Sequence, residues 1–94
     1  MTSGRDIGYN GRSMMAYLTV YSKPGCHLCE EALRVLTHHQ AQTPFTLEEI
    51  NIQNDPALLA EYGEQIPVVL LNGKFLFEYT VDQDRLRLAL KEEN

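Results

Sequence analysis

Two cysteines, Cys26 and Cys29, stand three positions apart, and the chain of 94 residues contains no others. Small secreted scaffolds spread four or more cysteines along the chain to close long loops, whereas a pair this local stabilises little. Thiols at this spacing can instead do chemistry, because one sulfur can attack a disulfide and the other can attack the mixed disulfide that results. The spacing therefore indicates thiol–disulfide exchange.

The residues around the pair predict where the thiols lie. Tyr17 to Tyr21 alternates and is rich in aromatic and branched residues, which is typical of a strand, and a breaker cluster, Ser22-Lys23-Pro24-Gly25, ends it. An amphipathic helix is expected from His27 to about His39, and its apolar stripe is predicted to be Leu28, Ala32, Val35, Leu36 and His39. Both cysteines therefore stand at the start of a helix.

A helix start is a favourable place for a reactive thiol. Unpaired backbone N–H groups and the positive end of the helix dipole lower the pKa of a thiol there from its free value of about 8.5. Lys23 adds a positive charge near Cys26, whereas Glu30 and Glu31 oppose a second negative charge, and we expect Lys23 and the helix terminus to prevail. This makes Cys26 the predicted nucleophile and Cys29 the thiol that resolves the mixed disulfide.

The rest of the chain alternates between strands and helices. A second strand is predicted from Phe45 to Ile52 and interpreted as buried on both faces. Asn54-Asp55-Pro56 then starts a short helix that ends at Gly63. The order from residue 16 onward predicts an α/β fold, β-α-β-α-β-β-α, with a parallel first β-α-β unit.

The last three elements follow from turn and capping signals. Asn72-Gly73 between Pro67–Leu71 and Lys74–Tyr79 predicts a hairpin with a two-residue turn. Thr80 to Gln83 has capping-box spacing and predicts the start of a final helix. The face of this helix that packs on the sheet is predicted to be Val81, Leu86, Ala89 and Leu90.

Composition and charge indicate where the protein is located and which partners it lacks. The net charge is −5 with only eight Lys and Arg residues, which argues against a nucleic-acid partner. The apolar runs are too short to cross a membrane, so we expect a cytoplasmic protein without a membrane partner. Residues 1–15 have no strand or helix period and are interpreted as a disordered leader or a cloning remnant, with the domain at residues 16–94.

Three features have alternative interpretations. A zinc site would need two further ligands, for which His27, His38 and His39 are the candidates outside the carboxylates. His38 and His39 are about 15 Å or more along the same helix from Cys26, and we expect them instead at a solvated or half-buried helix end. Pro67 either simply begins a strand or forms a cis peptide that frees the backbone of Ile66 to pair with an extended substrate. Tyr21 and Tyr79 are interpreted as packing residues without a role.

From Tyr17 to about Glu92 the chain resembles the thioredoxin superfamily, and within it the small glutaredoxin-like proteins. The resemblance is carried by the run from Tyr21 to Cys29 together with the later Ile66-Pro67. It implies a thioredoxin-like fold with a four-stranded mixed sheet, and it implies a cis Pro67. It also places Lys23 near the thiolate or near a carboxylate of glutathione.

The sequence departs from the glutaredoxin pattern at three places. His27-Leu28 stands where Pro-Tyr is usual between the cysteines, and Gln65-Ile66 stands where Thr-Val is usual before the proline. Glutaredoxins hold the γ-glutamyl end of glutathione with Gly-Gly followed by acidic residues, whereas this chain has Tyr79-Thr80-Val81-Asp82, in which Asp82 is the only remnant. His27 adds positive potential that makes such a pair more oxidising.

The leading hypothesis is a monomeric glutaredoxin-like thiol–disulfide oxidoreductase that takes part in electron transport. Its expected substrates are protein disulfides or glutathione mixed disulfides. No tightly bound cofactor or metal is expected, and the reductant is either glutathione or an unidentified reductase. The predicted substrate-binding residues are Lys23, Ile66, Pro67 and Asp82. Two alternatives are a dimeric iron–sulfur or metal carrier that binds through Cys26 and a redox-silent module that binds proteins at the sheet edge.

Overall fold

The computed structural model describes residues 16–93, so the predicted leader at residues 1–15 lies outside the described residues. The elements follow the predicted order, β-α-β-α-β-β-α, with one additional 3-10 turn. They are β1 Tyr17–Ser22, α1 His27–Gln42, β2 Thr46–Asn51, the 3-10 turn Ile52–Asn54, α2 Pro56–Tyr62, β3 Val68–Leu71, β4 Lys74–Glu78 and α3 Gln83–Glu93.

The four strands form one mixed sheet in the spatial order β2-β1-β3-β4. β1 and β2 are parallel, as expected for two strands joined through the crossover helix α1. β1 pairs with β3 antiparallel, and β3 pairs with β4 antiparallel through the hairpin. Asn72 and Gly73 have φ values of 51° and 85°, which confirms the predicted two-residue turn.

The prediction that the second strand is buried on both faces is wrong. β2 lies at the edge of the sheet, and only Leu47 and Ile50 are half-buried while the other four residues of the strand are exposed. These two residues lie three positions apart and therefore point to opposite faces of the sheet. The broken alternation thus reflects an edge strand with one apolar residue on each face.

The core lies between the sheet and the helices α1 and α3. Leu18 and Val20 of β1, Leu36 of α1 and Leu86 of α3 are each 0% exposed and belong to one apolar cluster. Burial of each such side chain is worth roughly 1.5–3 kcal/mol. The predicted face of α3 is confirmed, because Leu86 and Leu90 are buried and Val81 and Ala89 pack against them.

The predicted stripe of α1 is wrong at one end. Leu28 is 45% exposed, Val35 is only half-buried, and Cys29 occupies the buried face together with Ala32 and Leu36. The stripe begins at Cys29, which lies three and seven positions before Ala32 and Leu36 and packs with Ile52 and Ile66. His39, expected at a solvated or half-buried helix end, is buried at 4% exposure and shares a hydrogen bond of 2.8 Å with Gln83.

The capping residues were predicted correctly at one helix and not at another. Asp55 caps α2 and Pro56 occupies its first turn, as predicted, and Gly63 ends the helix. At α3 the cap is not Thr80, because Asp82 Oδ1 accepts hydrogen bonds from the backbone N–H groups of Asp84 and Arg85. Asp82 thus has the geometry of an N-cap one residue before the helix.

None of the helices within residues 16–93 has the length and apolar character needed to cross a membrane.

Candidate active site

The chain enters the cysteine pair through a tight turn. The backbone N–H of Cys26 donates to the carbonyl of Lys23 at 3.2 Å, which closes a four-residue turn around Pro24 and Gly25. Gly25 has φ of 79°, and proline followed by a residue of positive φ is the pattern of a type II turn. A side chain at position 25 would strain this turn, so the glycine helps to aim Cys26 at the start of α1.

Cys26 is the N-cap of α1. Its backbone is extended, with φ −85° and ψ 106°, and its carbonyl accepts the N–H of Glu30 at 3.1 Å. Its Sγ accepts the backbone N–H of Cys29 at 3.1 Å, the contact that a capping oxygen makes in other helices. The same N–H and the helix dipole favour a negative charge on this sulfur.

The two sulfurs form a disulfide, with their Cα atoms 5.2 Å apart. Cys26 is partly exposed, whereas Cys29 is only 2% exposed. A molecule that approaches the pair therefore meets the sulfur of Cys26 first. The burial of Cys29 leaves its sulfur directed to its neighbour, which suits an intramolecular second step.

A cleft of about 160 Å³ opens beside the disulfide. Both cysteines and Lys23 line it, and so do the carboxyl-bearing residues Glu30 and Glu49. Lys23 therefore lies where it was predicted, near Cys26, with its side chain exposed to solvent. The cleft carries charges of both signs, so a polar part of a substrate could be accommodated on this side of the disulfide.

Glu49 reaches the cleft from the edge strand. The hydroxyl of Ser22, which is 2% exposed, donates to its carboxylate at 2.8 Å. Neither residue was singled out from the sequence. The parallel pairing of the first two strands could have indicated them. The carboxyl ends of parallel strands lie at the same end of a sheet, and the cysteines follow directly after the first strand.

The peptide bond between Ile66 and Pro67 is cis, as the family resemblance implied. Ile66 is buried in a small apolar cluster with Cys29, and Cys26 packs against this cluster. Tyr21 and Tyr62 pack against the same cluster with their ring centroids 4.9 Å apart. Tyr21 thus packs as expected.

The residues after β4 are arranged differently from the sequence prediction. Tyr79 was interpreted as a packing residue, but its side chain is 45% exposed and its φ is 68°. Asp82 lies at the start of α3 and does not line the cleft that contains the cysteines. The structure therefore brings together Cys26, Cys29, Lys23 and Ile66, and it places Asp82 apart from that cleft.

The histidines are not gathered around the cysteines. His27 is exposed on the first turn of α1, and His38 is exposed near the other end of that helix. Within residues 16–93, no group of three His, Cys, Asp or Glu side chains is arranged to hold a metal ion.

Comparisons with known proteins agree with this geometry. A family model described as "Glutaredoxin-like domain (DUF836)" matches residues 17–91. A glutaredoxin-like protein of Dictyostelium discoideum is 28% identical over 77 residues, covering 76% of this chain and 71% of the relative. A Nitrosomonas europaea protein solved by NMR is 35% identical, with a TM-score of 0.74 and coverage of 86% and 98% of the two chains.

A mutant thioredoxin from Halobacterium salinarum shares the fold at lower similarity. It is 22% identical, with a TM-score of 0.62, and the match covers 83% of this chain and 74% of the thioredoxin. This likeness confirms the thioredoxin-like fold that the sequence predicted.

Proposed function

This chain belongs to the glutaredoxin-like domain family, and we propose that it is a thiol–disulfide oxidoreductase that reduces disulfides through Cys26 and Cys29. The proposed substrates are protein disulfides or mixed disulfides of a protein with glutathione. Cys26 is the proposed nucleophile and Cys29 is the proposed resolving thiol.

One observation carries this proposal. The sulfur of Cys26 occupies the N-cap position of α1, where it accepts the backbone N–H of Cys29 at 3.1 Å and remains partly exposed. The same peptide N–H can stabilise a thiolate in the reduced protein, because anions are favoured at helix N-termini. Exposure lets an outside disulfide reach this sulfur, while Cys29 stays behind it at 2% exposure.

The reaction conserves electrons and protons in two steps. The Cys26 thiolate attacks one sulfur of the substrate disulfide, the substrate S–S bond breaks, and the leaving thiolate takes a proton from water. Cys29 then loses its proton to water, and its thiolate attacks Cys26 Sγ. The second substrate sulfur leaves as a thiolate, and the protein retains the disulfide seen here.

The protein must then regain two electrons. A thiol reductant can supply them by the reverse exchange, either as two molecules of glutathione or as the dithiol of a reductase. Lys23 supports binding of an anionic reductant, since it lines the cleft with both cysteines. Asp82 is the proposed contact for a positively charged group of the reductant; it is exposed before α3, where its carboxylate also makes the capping bonds.

A pair of serine variants tests the assignment of the two thiols. With a labelled peptide mixed disulfide as substrate, Cys29→Ser should accumulate a covalent adduct on Cys26, visible by non-reducing mass spectrometry. Cys26→Ser should form no adduct and show no turnover, although it retains the thiol of Cys29. Adduct formation on Cys29, or unchanged turnover in Cys26→Ser, would contradict the proposed roles.

A second experiment separates the two classes of reductant. The oxidised protein is mixed in parallel with glutathione and with a thioredoxin reductase system, and the loss of the Cys26–Cys29 disulfide is followed by thiol labelling. We expect reduction by at least one of them at a rate above that of an unfolded control peptide containing the same Cys-His-Leu-Cys run. Equal rates for protein and peptide would show that the fold contributes nothing to exchange.

A further inference from the structure

Tyr79 has a backbone conformation that residues with a side chain seldom adopt. Its φ is 68°, and the N–H of Thr80 donates to the carbonyl of Glu78 at 2.8 Å across it. A hydrogen bond between residues two apart around a positive φ forms a γ-turn that is rare and strained. Glycine would adopt this conformation without the steric cost of a Cβ. Strained backbone of this kind is concentrated at functional sites.

The side chain at this strained position is not used for core packing. Tyr79 is 45% exposed, and Leu28 is exposed to the same extent. Both line a groove of about 200 Å³ between α1 and the start of α3. The groove is mainly apolar, and Glu31 is the only charged residue that the described part of the chain contributes to its lining; the other residues are Ala32, Val35, Thr80, Val81 and Gln83.

The groove lies next to the redox site along the chain, although the cysteines do not line it. Leu28 lies between the two cysteines in the first turn of α1. On the opposite side, the N–H of Tyr79 donates to the carbonyl of Pro67 at 2.9 Å. The preceding residue, Ile66, belongs to the apolar cluster against which Cys26 packs. A substrate joined to Cys26 by a disulfide is therefore tethered beside the groove.

We propose that Tyr79 and Leu28 form a subsite for an apolar side chain that adjoins the reacting cysteine of a polypeptide substrate. This inference rests on the proposed function, because the tether to Cys26 brings that side chain to the groove. Leu28 stands only two residues after Cys26, so the groove begins close to the reacting sulfur. Neighbouring residues of an extended chain are spaced by about 3.8 Å between Cα atoms, and we therefore assign the subsite to a residue close in sequence to the substrate cysteine.

The chemistry of the lining selects this occupant. A leucine, valine or phenylalanine side chain gains from removal of apolar surface from water against the Tyr79 ring and Leu28. The carboxylates of a small anionic thiol such as glutathione would meet no cation in this lining and would lie near Glu31. The subsite therefore favours polypeptides with an apolar residue next to the cysteine.

Two peptide mixed disulfides that differ at one residue test the subsite. The peptides carry leucine or serine beside the reacting cysteine, and kcat/KM is measured for each with the full chain. We expect the leucine peptide to be favoured by about tenfold, which corresponds to about 1.4 kcal/mol. Tyr79→Gly should reduce this ratio to near one, while Tyr79→Phe, which keeps the ring, should retain it.

Stability measurements and a control variant separate binding from folding. Tyr79→Gly relieves the strained turn, so its thermal midpoint should equal or exceed that of the parent. Leu88→Ala removes an apolar side chain that is 59% exposed and is not part of the groove lining, and it should keep the peptide preference.

The outcomes are distinguishable. No preference in the parent protein, or an unchanged preference in a folded Tyr79→Gly, overturns the subsite while leaving the exchange reaction in place. Absence of exchange with both peptides and with glutathione mixed disulfide overturns the proposed function and the subsite with it.

Discussion

Asp82 offers a prediction in which a structural and a binding role can be separated. Its Oδ1 accepts the N–H of Asp84 at 3.0 Å and the N–H of Arg85 at 3.2 Å. These are two of the backbone donors that the first turn of a helix cannot satisfy within itself. Asp82→Ala removes the acceptor for both, whereas Asp82→Asn keeps a side-chain oxygen at the same place.

The loss of stability follows from this geometry. Replacing a capping Asp by Ala costs about 1 kcal/mol, within a range of roughly 0.5–2 kcal/mol. Because Asp82 is exposed, water can hydrate the freed N–H groups, and we expect the middle of that range rather than its upper end. For a domain of this size, about 1 kcal/mol lowers the thermal midpoint by about 4–8 °C.

The asparagine variant isolates the charge. Asp82→Asn keeps the capping bonds and loses only the interaction of the carboxylate with the helix dipole, worth about 0.3–1 kcal/mol. It should therefore be more stable than Asp82→Ala. If Asp82 also binds the ammonium group of glutathione, the same variant should raise KM for a glutathione mixed disulfide about threefold without changing kcat, because a surface ion pair contributes up to about 1 kcal/mol.

Asp55 provides the matched control, since its Oδ1 accepts the N–H groups of Ala57 and Leu58 at the start of α2. Asp55→Ala should lower the thermal midpoint by an amount similar to Asp82→Ala and leave KM unchanged. Circular dichroism melts and steady-state kinetics on the five proteins, including the parent and Asp55→Asn, give both readouts. Equal midpoints for Asp82→Ala and the parent would refute the capping argument, and an unchanged KM in Asp82→Asn would refute a binding role.

Three further predictions concern stability. Leu36→Ala should lower the free energy of unfolding by about 2–5 kcal/mol in urea titrations, because Leu36 is 0% exposed in the core. Gln83→Ala should cost about 1–3 kcal/mol in the same assay, since it leaves the buried His39 without its 2.8 Å partner. The hydroxyl of Tyr17 donates a hydrogen bond to Glu48, which raises the pKa of Tyr17 above its ordinary value. The parent should therefore melt at a higher temperature than Tyr17→Phe at neutral pH, and this difference should disappear in alkaline solution as Tyr17 ionises.

Much of the fold could be predicted because local signals and tertiary structure agree. Asn72-Gly73 tolerates positive φ and sets the hairpin, and Asp55 followed by proline sets the start of α2. The position of Cys26 at a helix start followed from the breaker cluster before it and the helical period after it. At these places a few adjacent residues determine the backbone, so no long-range information was needed.

The errors occur where long-range packing decides. Helical spacing alone fits Leu28 as well as Cys29 on the buried face of α1, and contacts with residues distant in sequence, Ile52 and Ile66, bury Cys29. The edge position of β2 depends on which strands flank β1, which a single strand's pattern does not encode. The stripe position predicted for His39 is confirmed, but its burial is more complete than a helix end suggested, because Gln83 of α3 forms a hydrogen bond with it.

The capping role of Cys26 affects how its variants can be interpreted. Serine is among the best N-cap residues, and its hydroxyl can accept the N–H of Cys29 as the sulfur does. Cys26→Ser therefore removes the nucleophile without removing the cap, so a loss of activity there reports on sulfur chemistry. Cys29→Ser instead buries a hydroxyl at a position that is 2% exposed, which costs stability. Its folded fraction must therefore be measured before its kinetics are interpreted. The difference in exposure between the two thiols supports their proposed roles. It also means that the activity of Cys26→Ser is less affected by a change in stability than that of Cys29→Ser.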